Sequence, residues 1–160
     1  MDDIAAEAGV TKPIIYREIG DKGAVAEAVA EHMSLQIEDR TREVLTSAIT
    51  GEERFRIATR MFFESMWDDR RLFSFVEYGW GSSDGLQLEV MIDRAAIPLM
   101  RPDEGLFGGR PATEESRRTW AFATVGALRT VALMWVRQNY CPIEDLVDDV
   151  VEFVTRPATT

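Results

Sequence analysis

Apolar residues return every three or four positions along almost the whole chain, and no run alternates long enough to line one face of a strand. The pattern is sharpest near the C-terminus. There Ile143, Leu146, Val147, Val150, Val151 and Val154 form one stripe, while Asp145, Asp148, Asp149 and Glu152 lie off it. A helix so divided must bury its stripe. The segment before it carries Ala123, Ala127, Thr130, Val131 and Met134 on neighbouring helical faces, and small side chains there let a second helix approach closely. Two uses of these stripes are open. Both can face the chain's own core, or the pair can close a four-helix bundle with a second copy. The second use makes Ala123, Ala127, Val131, Ile143, Leu146, Val147, Val150 and Val154 the expected dimer contacts, within dimer helices over 114–155. Either way the chain is expected to be all-α.

Breakers divide the helical pattern. Gly9 separates a first short helix from a second, and Gly20 separates the second from a long third. Asp21 is a good N-cap for the third. Thr50 and Glu53 have the spacing of a capping box, so another helix starts there. A bend is expected at Trp67-Asp68-Asp69-Arg70, and loops over Gly79 to Gly85 and Arg101 to Pro111. Thr113 caps the next helix, with Glu114 and Glu115 at its positive end, and Pro142 stops that helix and opens the last.

With 160 residues, 46% of them hydrophobic, the chain can bury a core without staples. Its single cysteine, Cys141, excludes an intrachain disulfide and suits a reducing cytoplasm. No basic stretch followed by an apolar core suggests a signal peptide, and charges interrupt the longest apolar runs, so no membrane segment is expected. A formal charge of −10 argues against a general nucleic-acid binder, although the local charge of a small head decides phosphate contact. In residues 1–22, Asp2, Asp3, Glu7, Glu18 and Asp21 outnumber Lys12, Arg17 and Lys22.

Those first 22 residues read as a short helix, a turn at Gly9-Val10 and a second short helix. Ile4, Ala5 and Ala8 share a face of the first. Val10 is expected to plug the turn, and Ile15 and Ile19 to line the inner face of the second. Thr11 can cap that second helix, so that Lys12, Pro13 and Ile14 point outward. A recognition helix needs this arrangement, because its first side chains must reach base edges.

The run Ile4-Ala5-x-x-Ala8-Gly9-Val10-Thr11-Lys12-x-x-Ile15-Tyr16, followed by Gly20-x-Lys22 opening a long helix, closely resembles the helix-turn-helix of the TetR family of transcriptional regulators. The resemblance implies that Thr11, Lys12 and Pro13 read bases in the major groove of operator double-stranded DNA. It implies that Tyr16 and Lys22 contact phosphates, and that the helix from Asp21 links this head to the body. For the rest of the chain the likeness is one of architecture: a helical head over 1–22 and a ligand-binding and dimerisation domain over 21–160. Two departures stand out. Glu18 and Ile19 occupy places where the family has an aromatic or His and a Phe. The family also carries one more helix before this motif, so the resemblance implies a native start upstream.

The middle of the chain is rich in large side chains, with four Trp and seven Met overall. Most must be core. Trp and Met also wall adaptable apolar pockets. A site for a hydrophobic small molecule is expected among Phe62, Phe63, Met66, Trp67, Tyr78, Trp120, Thr124, Leu128 and Trp135, with Glu77, Arg94 and Arg129 as candidate polar anchors. Catalysis finds no foothold. His32 has no partner at metal-ligand spacing, Cys141 has no activating base nearby in sequence, and the glycines of Gly105 to Gly109 follow no strand. No catalytic residue, metal or cofactor is expected. The expected function is a cytoplasmic, homodimeric, ligand-responsive repressor. The alternative is a helical small-molecule-binding or interaction protein that does not bind DNA.

Overall fold

The structure, a computed structural model, describes residues 1–46, 49–79, 92, 95–100 and 113–156. In chain order these form α1 (Asp2–Glu7), α2 (Lys12–Glu18), α3 (Lys22–Thr46), α4 (Gly51–Asp68), α5 (Arg70–Gly79), a 3-10 turn (Ile97–Met100), α6 (Glu114–Gln138) and α7 (Ile143–Thr155). Every described element is helical, and the fold is all-α.

The boundaries follow local chemistry. Gly9 turns the chain between α1 and α2 at φ +66°, a conformation that suits glycine. At Gly20, φ is +121°, and a Cβ there would stand 2.9 Å from that of Ala24. Asp21 Oδ1 accepts the Ala24 N–H at 3.0 Å and caps α3. Thr50 accepts the Glu53 N–H, and Thr113 the Ser116 N–H, each at 3.2 Å. Thr11 occupies the cap position of α2 with extended backbone, but its side chain makes no capping bond, so that expectation is corrected. Pro13 in the first turn already fixes a helical φ and has no N–H to satisfy. Asn139, not Pro142, ends α6. It enters the left-handed region at φ 45° and returns its N–H to the Trp135 carbonyl at 2.7 Å. Pro142 is the N-cap of α7. The bend after α4 falls at Asp69, whereas the loops expected beyond 79 and over 101–111 lie outside the described residues.

Helix α4 is the hub, packing on α3, α5, α6 and α7. Its Phe63 is fully buried, in edge contact with Phe62 at 5.4 Å and with Trp135 of α6 at 6.0 Å. Arg40 of α3 donates to the buried Ser65 hydroxyl at 2.9 Å. Helix α7 buries Leu146, Val147, Val151 and Val154 in the same core, and Arg56–Asp148 and Arg60–Glu144 pairs flank its crossing of α4. This corrects the assignment of Leu146, Val147 and Val154 to a subunit interface: α4 consumes that stripe within one chain. Val131, Ile143 and Val150 are partly buried at its margin.

Helix α6 divides into two faces. Ala121, Thr124, Ala132 and Trp135 are buried. Opposite them Ala123, Thr130 and Met134 are exposed, and the space beside Gly126 is open. By length and composition alone α6 is apolar enough to cross a membrane, although Arg129 interrupts its apolar run. Its buried face makes it a core helix with its other side uncovered. Trp135 also donates from Nε1 to the Cys141 carbonyl at 2.9 Å, fastening the turn into α7. Trp135→Phe strands that carbonyl. We expect a loss of about 1–2 kcal/mol, read as a melting temperature lower by roughly 2–8 °C.

A second, smaller cluster holds the head together. Ala5 of α1, Ile15 of α2 and Val25 of α3 are buried against one another, with Met1 and Ile4 packed alongside. Ile19 is 49% exposed and Val10 37%, so neither fills the core as expected. The small cluster closes over Ile15 and leaves the outer residues of α2 in solvent.

Candidate functional site

Helices α3, α4, α5 and α6, with Ile92, Ala95 and the 3-10 turn, line a half-open cavity of about 240 Å³. From α3 it takes Ala30, Met33, Ser34, Ile37, Glu38 and Thr41, the successive positions of one helical face. From α4 it takes Phe55, Ala58, Thr59, Phe62 and Met66, again one face. Phe73 and Val76 of α5, Val125, Leu128 and Arg129 of α6, and Ile92, Ala95, Pro98 and Leu99 complete the wall. Carbon and sulfur dominate. Such a surface favours apolar guests, with a few polar groups left to orient them.

Those polar groups differ in state. The Thr41 hydroxyl donates to the Ile37 carbonyl at 2.8 Å. Glu38 is exposed and pairs with Arg42, at 3.8 Å. Thr59 is 2% exposed, and its hydroxyl has no hydrogen-bond partner among the described residues.

Of the residues expected to wall a pocket, Phe62, Met66 and Leu128 do so. Phe63, Trp67, Trp120, Thr124 and Trp135 do not. Phe63 and Trp135 are core, the Trp67 ring lies 5.1 Å from that of Trp135 and tilted 45° to it, Trp120 packs at the core's edge, and Thr124 is buried. The largest rings fill the junction of α4 and α6, and the cavity opens beside them, against α3. Arg129, one of the candidate polar anchors, is among the residues that line the cavity. The side chains of Glu77 and Tyr78, and the whole of Arg94, lie outside what the structure describes. Among the missed wall residues α3 contributes the largest share. Its cavity face was legible as Ala30, Met33, Ile37 and Thr41 at helical spacing, but the many charges of that helix hid it.

At the other end of α3, the head presents Thr11, Pro13, Tyr16 and Lys22 to solvent, with Lys12 half-buried. Tyr16 is 51% exposed. Two of the basic side chains are held by carboxylates of the head itself. Lys12 Nζ lies 2.6 Å from Asp2 Oδ2, and Arg17 Nη2 lies 2.6 Å from Glu18 Oε1. The bond between them lowers the Asp2 carboxyl and raises the Lys12 ammonium from their ordinary ranges. Both are therefore charged at neutral pH. No protein-family model matches this chain, and no curated protein matches it. The residues themselves thus carry the functional argument.

Chemically reactive groupings are scarce. No cluster of three or more His, Cys, Asp and Glu fit to hold a metal ion occurs among the described residues. Burial, then the charges of Asp145 and Asp149, pushes the Cys141 thiol up, which disfavours the nucleophilic thiolate. The arrangement is suited to binding: an apolar cavity in the body, and a polar helix face on the head.

Proposed function

We propose that this chain is a ligand-responsive DNA-binding regulator of the TetR type, a cytoplasmic homodimer that acts as a repressor and leaves its operator when a small hydrophobic molecule occupies the body. The observation that carries the reading is the span of α3. One 25-residue helix begins in the head, where Val25 packs on Ala5 and Ile15, and continues as a wall of the cavity from Ala30 to Thr41. A guest that displaces this wall moves the head as well. Two heads reading successive major grooves need one fixed separation, so a modest displacement reduces DNA affinity. By linkage, operator DNA must weaken ligand binding by the same factor.

Dimerisation in this reading uses the outer side of α6, where Ala123, Gly126, Ala127 and Thr130 allow close approach and Met134 offers apolar area. Phe153 of α7, 75% exposed, is a further apolar side chain open to a partner. Selection of random duplexes by the purified protein is the test, followed by titration across salt concentrations. The expected result is a near-palindromic site whose affinity falls steeply with salt. Lys22→Ala should weaken binding several-fold on every sequence and reduce the salt slope by about one, with the dimer unchanged in sedimentation. Absence of salt-dependent duplex binding overturns the proposal.

A second reading has its own support. The Lys12–Asp2 and Arg17–Glu18 pairs, in an acidic head, favour a small-molecule-binding protein that does not engage DNA. Ligand binding with no enrichment of any duplex is its signature.

A further inference from the structure

Thr59 stands apart from other threonines in these helices. Thr41, Thr119, Thr130 and Thr155 each donate their hydroxyl to the carbonyl four residues earlier, at 2.8–2.9 Å. Thr59 makes no such bond, although it is almost wholly buried, and it sits in the cavity wall. An unsatisfied buried hydroxyl is costly, and a guest that supplies its partner recovers the loss. Rotation about χ1 exchanges the hydroxyl with the methyl on the same Cβ, so the oxygen can be turned toward a guest with little disturbance.

The rest of the wall sets the remaining properties of that guest. A cavity of about 150 Å³ lined by aliphatic and aromatic side chains accepts benzene. The 240 Å³ here scales to roughly ten non-hydrogen atoms. Phe55, Phe62 and Phe73 offer ring edges and faces, and Met33 and Met66 offer sulfur, which together favour an aromatic ring. Glu38 and Arg129 bring opposite charges to the wall, so neither sign of ligand is selected, and desolvation disfavours an ionised guest.

We propose that the cavity takes a neutral, single-ring phenol with a short alkyl chain, and that Thr59 is the residue that selects its hydroxyl. This rests on the reading of the cavity as the ligand site. Calorimetric titration of the intact protein with para-propylphenol and with para-propyltoluene tests it, because the pair differs by hydroxyl against methyl. With no anchor the hydrocarbon binds more tightly, since the phenol must shed its water. The expected result is that the phenol binds at least as tightly as the hydrocarbon. Thr59→Val should then weaken the phenol roughly tenfold and leave the hydrocarbon unchanged, while Thr59→Ser keeps the phenol. Thr59→Val removes an unsatisfied group, so a melting temperature at or above that of the unchanged protein certifies its fold. Tighter binding of the hydrocarbon to the unchanged protein, or a ratio that survives Thr59→Val, overturns the anchor and leaves the cavity as a binding site. Binding of neither compound overturns the anchor and the ligand-site reading together.

Discussion

Phe63→Ala should lower the unfolding free energy by about 3–5 kcal/mol and the melting temperature by roughly 6–20 °C. The side chain has no exposed surface and sits where α4 meets α6. Its ring touches the rings of Phe62 and Trp135 edge to face. Such aromatic pairs contribute beyond the area they bury. Truncation also leaves a void among groups that other contacts hold in place, notably Trp135, whose indole N–H is tied to Cys141. Thermal and urea unfolding read the effect. Leu72→Ala, at a residue 42% exposed on α5, is the matched control and should stay within about 0.5 kcal/mol. A loss below about 1 kcal/mol at Phe63 would mean that α4 is not the hub of the fold.

The fold was legible because local signals agreed with one another. The stripe of α7, the caps at Asp21, Thr50 and Thr113, and the turn at Gly9 each point to one structure, and each is observed. What the sequence left open was partnership. A stripe such as Leu146, Val147, Val151 and Val154 states that a face must be covered, not by which helix. Here α4 covers it, helped by arginines at positions 56 and 60 that meet Asp148 and Glu144. The pairing is long-range in sequence, and periodicity carries no information about it.

The candidate site was less legible for a related reason. Ring size suggested Trp67, Trp120 and Trp135 as pocket walls. Large rings, however, gain most where they are fully surrounded, and in this chain they close the core. The cavity remains where Ala30, Ala58, Met33 and Met66 leave room beside the rings of Phe55, Phe62 and Phe73. Thr59 could not be found from sequence, because an unpaired hydroxyl is a property of packing. In the head, the outward positions of Pro13 and Ile14 were legible from helical spacing, whereas Lys12, expected outward with them, is half-buried. The ties of Lys12 to Asp2 and of Arg17 to Glu18 follow from rotamers that the sequence does not specify.

Those ties yield the other large effect. Asp2→Asn combined with Glu18→Gln should raise affinity for duplex DNA about tenfold at roughly 50 mM salt, and steepen the salt dependence by about two. The reasoning is electrostatic. The Asp2 pKa is lowered and the Lys12 pKa raised, chiefly by the bond between them. That pair is intact at neutral pH and is lost as acid titrates Asp2 through its lowered value or base titrates Lys12 through its raised one, both far from the pH of any DNA measurement. Neutral amides of the same shape remove two negative charges from the head. They also leave Lys12 and Arg17 to engage phosphates, and each new phosphate contact adds about 0.9 to the slope. Because Asp2, Arg17 and Glu18 are largely exposed and Lys12 is partly so, the gain must fade at high salt, where both the ties and the phosphate contacts are screened. Binding that is unchanged at every salt concentration would remove this face from the DNA interface. Binding that strengthens without a change of slope would assign the gain to a reshaped head, in place of released charge.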